Sequence, residues 1–166
     1  MAEEEYTSLP GVRLFWGMLL IVLCVLLVLS FYSYDWRDIS ILHAPPNRPP
    51  SNLIGPVGAW MSFSLLSLFG LGAYFVPLWC LTTGVLLLAS RQKSLWPRVL
   101  ASVVMLLSLV SSIALVSGLE NICEQLNIDN TSGIFGRIFT QGLLIRWLSN
   151  VGAGIVIVAL FVASLS

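Results

Sequence analysis

Charge is the scarcest property of this chain. Only 10% of its 166 residues are Asp, Glu, Lys or Arg, against roughly 25% in ordinary soluble domains. The eight basic and eight acidic residues cancel. No basic field exists to hold a phosphate backbone, so no direct nucleic-acid contact is expected. Lysine occurs once, as Lys93 in Arg-Gln-Lys-Ser, without the glycines of a phosphate-cradling loop. Histidine also occurs once, as His43, and no His pair, His-Glu cluster or Cys-x-x-Cys accompanies it. That excludes metal and redox centres of recognised spacing. Three scattered cysteines build no disulfide framework. Cys24 and Cys80 lie in apolar runs and read as small hydrophobes, and Cys123 reads as a loop residue. No catalytic residue, cofactor or metal ligand is expected in this chain.

What the chain has in abundance is apolar surface, 57% of its residues. Residues 14–34, 49–90, 99–119 and 147–166 contain no Asp, Glu, Lys, Arg or His. Each run is long enough to cross a hydrocarbon core of about 30 Å, which takes about 20 helical residues. With the spans set aside, too little remains for a soluble domain of ordinary size. The first run is too long for a signal-peptide core and ends in Phe-Tyr-Ser-Tyr-Asp, so it reads as a retained span.

The expected fold is all-α: four transmembrane helices and a short outer helix, interfacial or re-entrant, in a single membrane domain of residues 1–166. The spans are placed at about 14–32, 57–89, 95–117 and 151–166. The second is expected as one long helix of about 50 Å, bent at Gly70, Gly72 and Pro77. Its first turns then lie near the outer surface or the whole helix tilts. The proline-rich stretch with Pro45, Pro46, Pro49 and Pro50 is expected to be extended or irregular. Over residues 133–148, a wheel of 100° per residue puts Arg137, Thr140 and Gln141 on one side. Ile134, Phe135, Ile138 and Phe139 fall on the other, which favours a helix in the interface plane. Arg91, Lys93 and Arg98 crowd a short link and Arg13 abuts the first span, while Arg37, Arg48, Arg137 and Arg146 sit on longer connections. That bias puts both termini in the cytoplasm. A chain ending at Ser166 inside its last apolar run is expected to continue in a longer protein.

All eight acidic residues lie outside the apolar runs. Intramembrane ionisable groups are the usual markers of ion and proton paths, and their absence argues against a pump, a carrier or an intramembrane protease. An enzyme built from His43, Glu120, Glu124 and Asp129 has no recognised spacing behind it. A structural or assembly role remains by elimination. The alternative is a small oligomeric channel or transporter lined by serines of several copies. The candidate sites are therefore structural: Gly55, Gly58, Gly70, Gly72 and Pro77 for helix shape and close packing. Trp36, Trp60, Tyr74 and Trp96 are candidates for the membrane interface. Arg37, His43, Arg48, Arg137 and Arg146 are candidate contacts for partners outside the membrane.

Three segments carry a family likeness: Phe31-Tyr32-Ser33-Tyr34-Asp35, Asn52-Leu53-Ile54-Gly55-Pro56-Val57-Gly58-Ala59-Trp60, and Leu68-Phe69-Gly70-Leu71-Gly72-Ala73-Tyr74-Phe75-Val76-Pro77. Through them the chain resembles the N-terminal four-span membrane domain of the FtsK/SpoIIIE family of bacterial DNA translocases. The resemblance implies a multi-pass anchor in the inner membrane at the division septum, contacting lipid and divisome membrane proteins, with a homo-oligomer left open. It also implies a cytoplasmic linker and an ATP-driven motor after residue 166. ATP, magnesium and DNA would be bound there, not by this chain.

Overall fold

The computed structural model describes residues 10–89, 96–116 and 118–164, and every regular element among them is helical. The segments around Arg91 and Lys93, the acidic Glu3–Glu5 and residues 165–166 lie outside the described residues, as do the Trp96 and Arg98 side chains. The helices are α1 (Pro10–Tyr32), α2 (Pro56–Phe69), α3 (Phe75–Ala89), α4 (Trp96–Ile113), α5 (Glu120–Leu126), α6 (Gly133–Phe135) and α7 (Arg146–Ser164). Short 3-10 turns occupy Trp36–Asp38 and Gly70–Tyr74, and α6 runs into a π-helix, Gly136–Ile145.

Three helical stretches, Gly11–Tyr32, Pro56–Ala89 and Gly133–Ser164, are long and apolar enough to cross a membrane, and Val99–Ile113 is a shorter apolar helix. Much of their apolar surface is outward-facing. On α7, Val151, Ile155, Val158 and Val162 are all exposed. A stripe of that width needs lipid or another apolar surface against it.

Small residues set how the helices meet. A Cβ on Gly17 of α1 would lie 2.7 Å from Leu88 Cδ2 and 3.1 Å from the Gly84 carbonyl oxygen of α3. Above this contact Cys24, Leu27 and Phe31 share a core with Val76 and Cys80. Residue 17 faces 84 and the Phe31 ring meets Tyr74 at 4.9 Å, tilted by 40°, so α1 and α3 run antiparallel. The next pair is held by Trp79 Nε1 donating to Ser102 Oγ at 3.1 Å and by Gly72 against Val110, making α3 and α4 antiparallel as well. Gly154 lies beside Leu115, and Ile157 and Leu160 share a 220 Å³ cavity with Val104 and Ser108. α7 is therefore antiparallel to α4.

The second apolar run is an elbow, not the long bent rod expected. Ser30, one turn from the end of α1, meets Gly58 and Ser62 of α2, and its neighbour Phe31 meets Tyr74 beyond α2's far end. Both ends of α2 thus stay at the level of α1's last turn, and only α3 descends beside it. Pro77 does not make the bend. It is buried in the first turn of α3, where a missing N–H costs little. The corner is Gly70, at φ +57.

The second half repeats this order. α4 rises, Gly136 lies beside Ala114, and Leu144 joins Leu115 and Ala153 in one cluster. The helix over residues 133–148 thus crosses the end of α4 before the chain breaks at Ser149 (φ 59, ψ 176) and descends. Cys123, expected in a loop, is buried within α5.

Candidate functional site

Both elbows, and both long connections, gather at one end of the bundle, the loop end. There the connection between α1 and α2 is ordered by Asp38, with Asp35 accepting from the Arg37 N–H at 2.9 Å beside it. Asp38, 8% exposed, accepts the backbone N–H of Ser51 (3.0 Å) and Asn52 (2.9 Å) and the amide of Asn47 (2.9 Å). Asn52 in turn donates to the Ser30 carbonyl at 2.9 Å and accepts from the Ile54 N–H at 3.0 Å. Leu53 N–H donates to Ser33 Oγ at 2.9 Å. The irregular backbone expected from its prolines is thus a compact knot whose donors are met from within. A buried carboxylate accepting several N–H bonds is among the stronger polar contacts a protein makes.

Beneath the knot, Ser30 Oγ donates to the Gly58 carbonyl at 2.6 Å and lies 3.1 Å from Ser62 Oγ. Gly58 has no room for a side chain, since a Cβ there would collide with Asn52 Oδ1. Gly55 differs. Its Cβ position is open space, and its φ of +75 is what demands glycine.

The two elbows lock together at Gly70 and Gly133. Both have positive φ, +57 and +62, and a Cβ on either would strike the other segment's backbone, the Thr131 carbonyl in the first case and the Gly70 nitrogen in the second. Leu71 N–H donates to the Thr131 carbonyl at 2.8 Å across the junction. Gly72, just beyond, lets α4 approach through Val110.

The basic candidates do not form one cluster. Arg37 lies over the Trp36 ring at 5.4 Å, and His43 meets the same ring edge-on at 5.6 Å. Arg48 is exposed on the same connection. Arg137 lies elsewhere, in a notch with Asn127, Asp129 and Asn130, and Arg146 is exposed at the start of α7. Thr140, expected on the polar side of its helix, is fully buried with Gly136 and Leu144. Residues 136, 140 and 144 share one helix face at four-residue spacing, and that face packs against Ala114 and Leu115, so the side the wheel marks as polar is the buried one. Trp60 is partly exposed and meets Phe63 edge-on at 5.8 Å.

Two shifted groups lie in the connections. Burial, then Tyr74 and Asp35, pushes the Tyr34 phenol up to about 12, and its hydroxyl has no hydrogen-bond partner. Burial, then Glu120, raises the Cys123 thiol. Among the described residues no group of three or more His, Cys, Asp or Glu is placed to hold a metal. Among the described residues the close contacts at this end position helices. Sequence reasoning missed Ser30, Asp38 and Asn52, which hold the knot, and Gly17, Gly84 and Gly133, which allow the close approaches. A glycine inside an apolar run was the available signal for the last three.

The family described as the 4TM region of DNA translocase FtsK/SpoIIIE matches residues 12–166. The chain belongs to this FtsK/SpoIIIE membrane-region family. It is 37% identical over 104 residues to the DNA translocase FtsK of Rickettsia typhi, covering 63% of this chain and 14% of that protein. The Rickettsia prowazekii DNA translocase FtsK is equally similar over the same length, with 13% of it covered. The alignments thus reach about one-seventh of the curated relatives' length. No solved structure matches the chain. As an FtsK/SpoIIIE membrane region, the chain is a multi-pass protein of the inner membrane, helical in every regular element among the described residues, and its exposed apolar stripes fit contact with lipid.

Proposed function

We propose that this chain is the membrane anchor and septal assembly domain of a cell-division DNA translocase. It crosses the bilayer four times through α1, α3, α4 and α7, leaves both ends in the cytoplasm and tethers there an ATP-driven motor acting on double-stranded DNA. Catalysis, ATP, magnesium and DNA grip belong to that motor. The observation that carries the reading is the alternation of these four helices, each antiparallel to the next, in a chain matched over residues 12–166 by the FtsK/SpoIIIE membrane region. An even number of crossings returns the chain to the side it started from. The Trp36 cluster with Arg37 and His43, together with Arg48 and Arg146, supplies a polar surface for divisome membrane proteins outside the membrane.

Replacing residues 1–166 in the full-length protein by an unrelated four-span anchor tests the assembly half of this reading. Membrane attachment is expected to survive and septal recruitment to be lost, read by fluorescence microscopy of the tagged protein. Unchanged septal localisation in the chimaera would refute it.

A further inference from the structure

Arg137 lines two neighbouring cavities. On one side is a mixed notch of about 130 Å³, where Asn127, Asp129 and Asn130 meet Leu42, Phe63 and Leu66. On the other is an apolar groove of about 870 Å³, formed by Leu68 and Phe69 at the end of α2 and by Ile134, Ile138 and Leu143. Asp129 and Arg137 are both exposed and line the same notch without pairing with each other. An unpaired cation and anion thus share one notch at the loop end of the bundle, and the cation also borders the apolar groove.

We infer that this junction binds one phosphatidylethanolamine molecule. The phosphate sits on Arg137, the primary ammonium on Asp129, and one acyl chain lies along the groove. Charge complementarity decides among lipids. A glycerol headgroup brings a net negative charge toward Asp129 with no cation to offset it, and a choline headgroup has no N–H to donate to the carboxylate. Arginine offers the planar donor fork that suits phosphate. This inference rests on the membrane-embedded reading above and goes beyond it in naming a lipid and its site.

The test is native mass spectrometry of the full chain released from nanodiscs containing phosphatidylethanolamine, phosphatidylcholine and phosphatidylglycerol of identical acyl chains. One phosphatidylethanolamine is expected to be retained about threefold over either competitor, the scale of an exposed charge pair. Arg137→Gln and Asp129→Asn should each lower that retention about threefold, while Arg146→Gln leaves it unchanged. Gly142→Leu, which places a side chain in the groove, should lower retention of all three lipids. Equal retention of the three lipids by the unaltered chain would overturn the site. So would unaltered selectivity in both Arg137→Gln and Asp129→Asn, or loss of a chain dimer instead of a lipid in Gly142→Leu. Failure of the membrane reading itself looks different: the chain would be released from vesicles by alkaline carbonate before any lipid preference is measured.

Discussion

Asp38 is the nearly buried charge around which the connection between α1 and α2 folds. It holds two backbone N–H groups and one side-chain amide at the loop end, nearly shielded from water. Asp38→Asn replaces one acceptor oxygen by a donor and removes the charge. It is expected to cost about 2 kcal/mol, the scale of a hydrogen bond to a charged group, read from unfolding of the detergent-solubilised domain. Tyr34 makes the opposite case. Its hydroxyl is buried without a partner and its pKa is raised to about 12 from 10.0, so the folded state favours the neutral phenol. That contribution is whole below pH 10 and is lost as pH rises through 12. Tyr34→Phe should leave neutral-pH stability unchanged or higher and flatten the alkaline loss between pH 10 and 12, measured by unfolding midpoints across that range. Neither role was legible in the sequence. Asp38 finds its partners 9 to 14 residues away, across prolines that suggest irregular chain and say nothing of which carboxylate will organise it.

Among the elements, the elbows decide the shape. Hydropathy reports how apolar a helix is and is blind to its direction, so residues 57–89 read as one long rod. Glycine at position 70 marked a bend. That the bend turns α2 across the end of α1 depends on Ser30 meeting Gly58 and Ser62, a contact between polar side chains far apart in sequence. Over Gly136–Ile145 a helical wheel is blind to direction in a similar way. The wheel groups residues four apart on one face and says nothing of whether the face of Gly136, Thr140 and Leu144 meets water or the bundle. The Gly70–Gly133 lock gives the sharpest prediction at this scale. Gly70→Ala and Gly133→Ala each add a strained left-handed conformation, about 1–2 kcal/mol, and a backbone collision. Each is expected to destabilise the domain by more than about 2 kcal/mol. Gly11→Ala, in open space at ordinary helical φ, should be neutral or slightly stabilising. Equal thermal midpoints for Gly70→Ala and Gly11→Ala would break the elbow account.

Across the whole molecule, composition and the four uncharged runs made the membrane class legible, because a bilayer imposes one requirement on every residue it covers. The order of α1, α3, α4 and α7 follows from pairwise contacts: Gly17 with Gly84, Trp79 with Ser102, Gly154 with Leu115. Each pair reverses direction, and the loop-end connections fall on one side of the bundle. The measurement that tests this most directly is side-specific labelling of single cysteines in the intact membrane, in a background where Cys24, Cys80 and Cys123 are replaced. Tyr6→Cys, Lys93→Cys and Leu165→Cys are predicted to react only from the cytoplasmic side, and Ala44→Cys and Glu124→Cys only from the other. Labelling of positions 6 and 165 from opposite sides would contradict an anchor of four crossings.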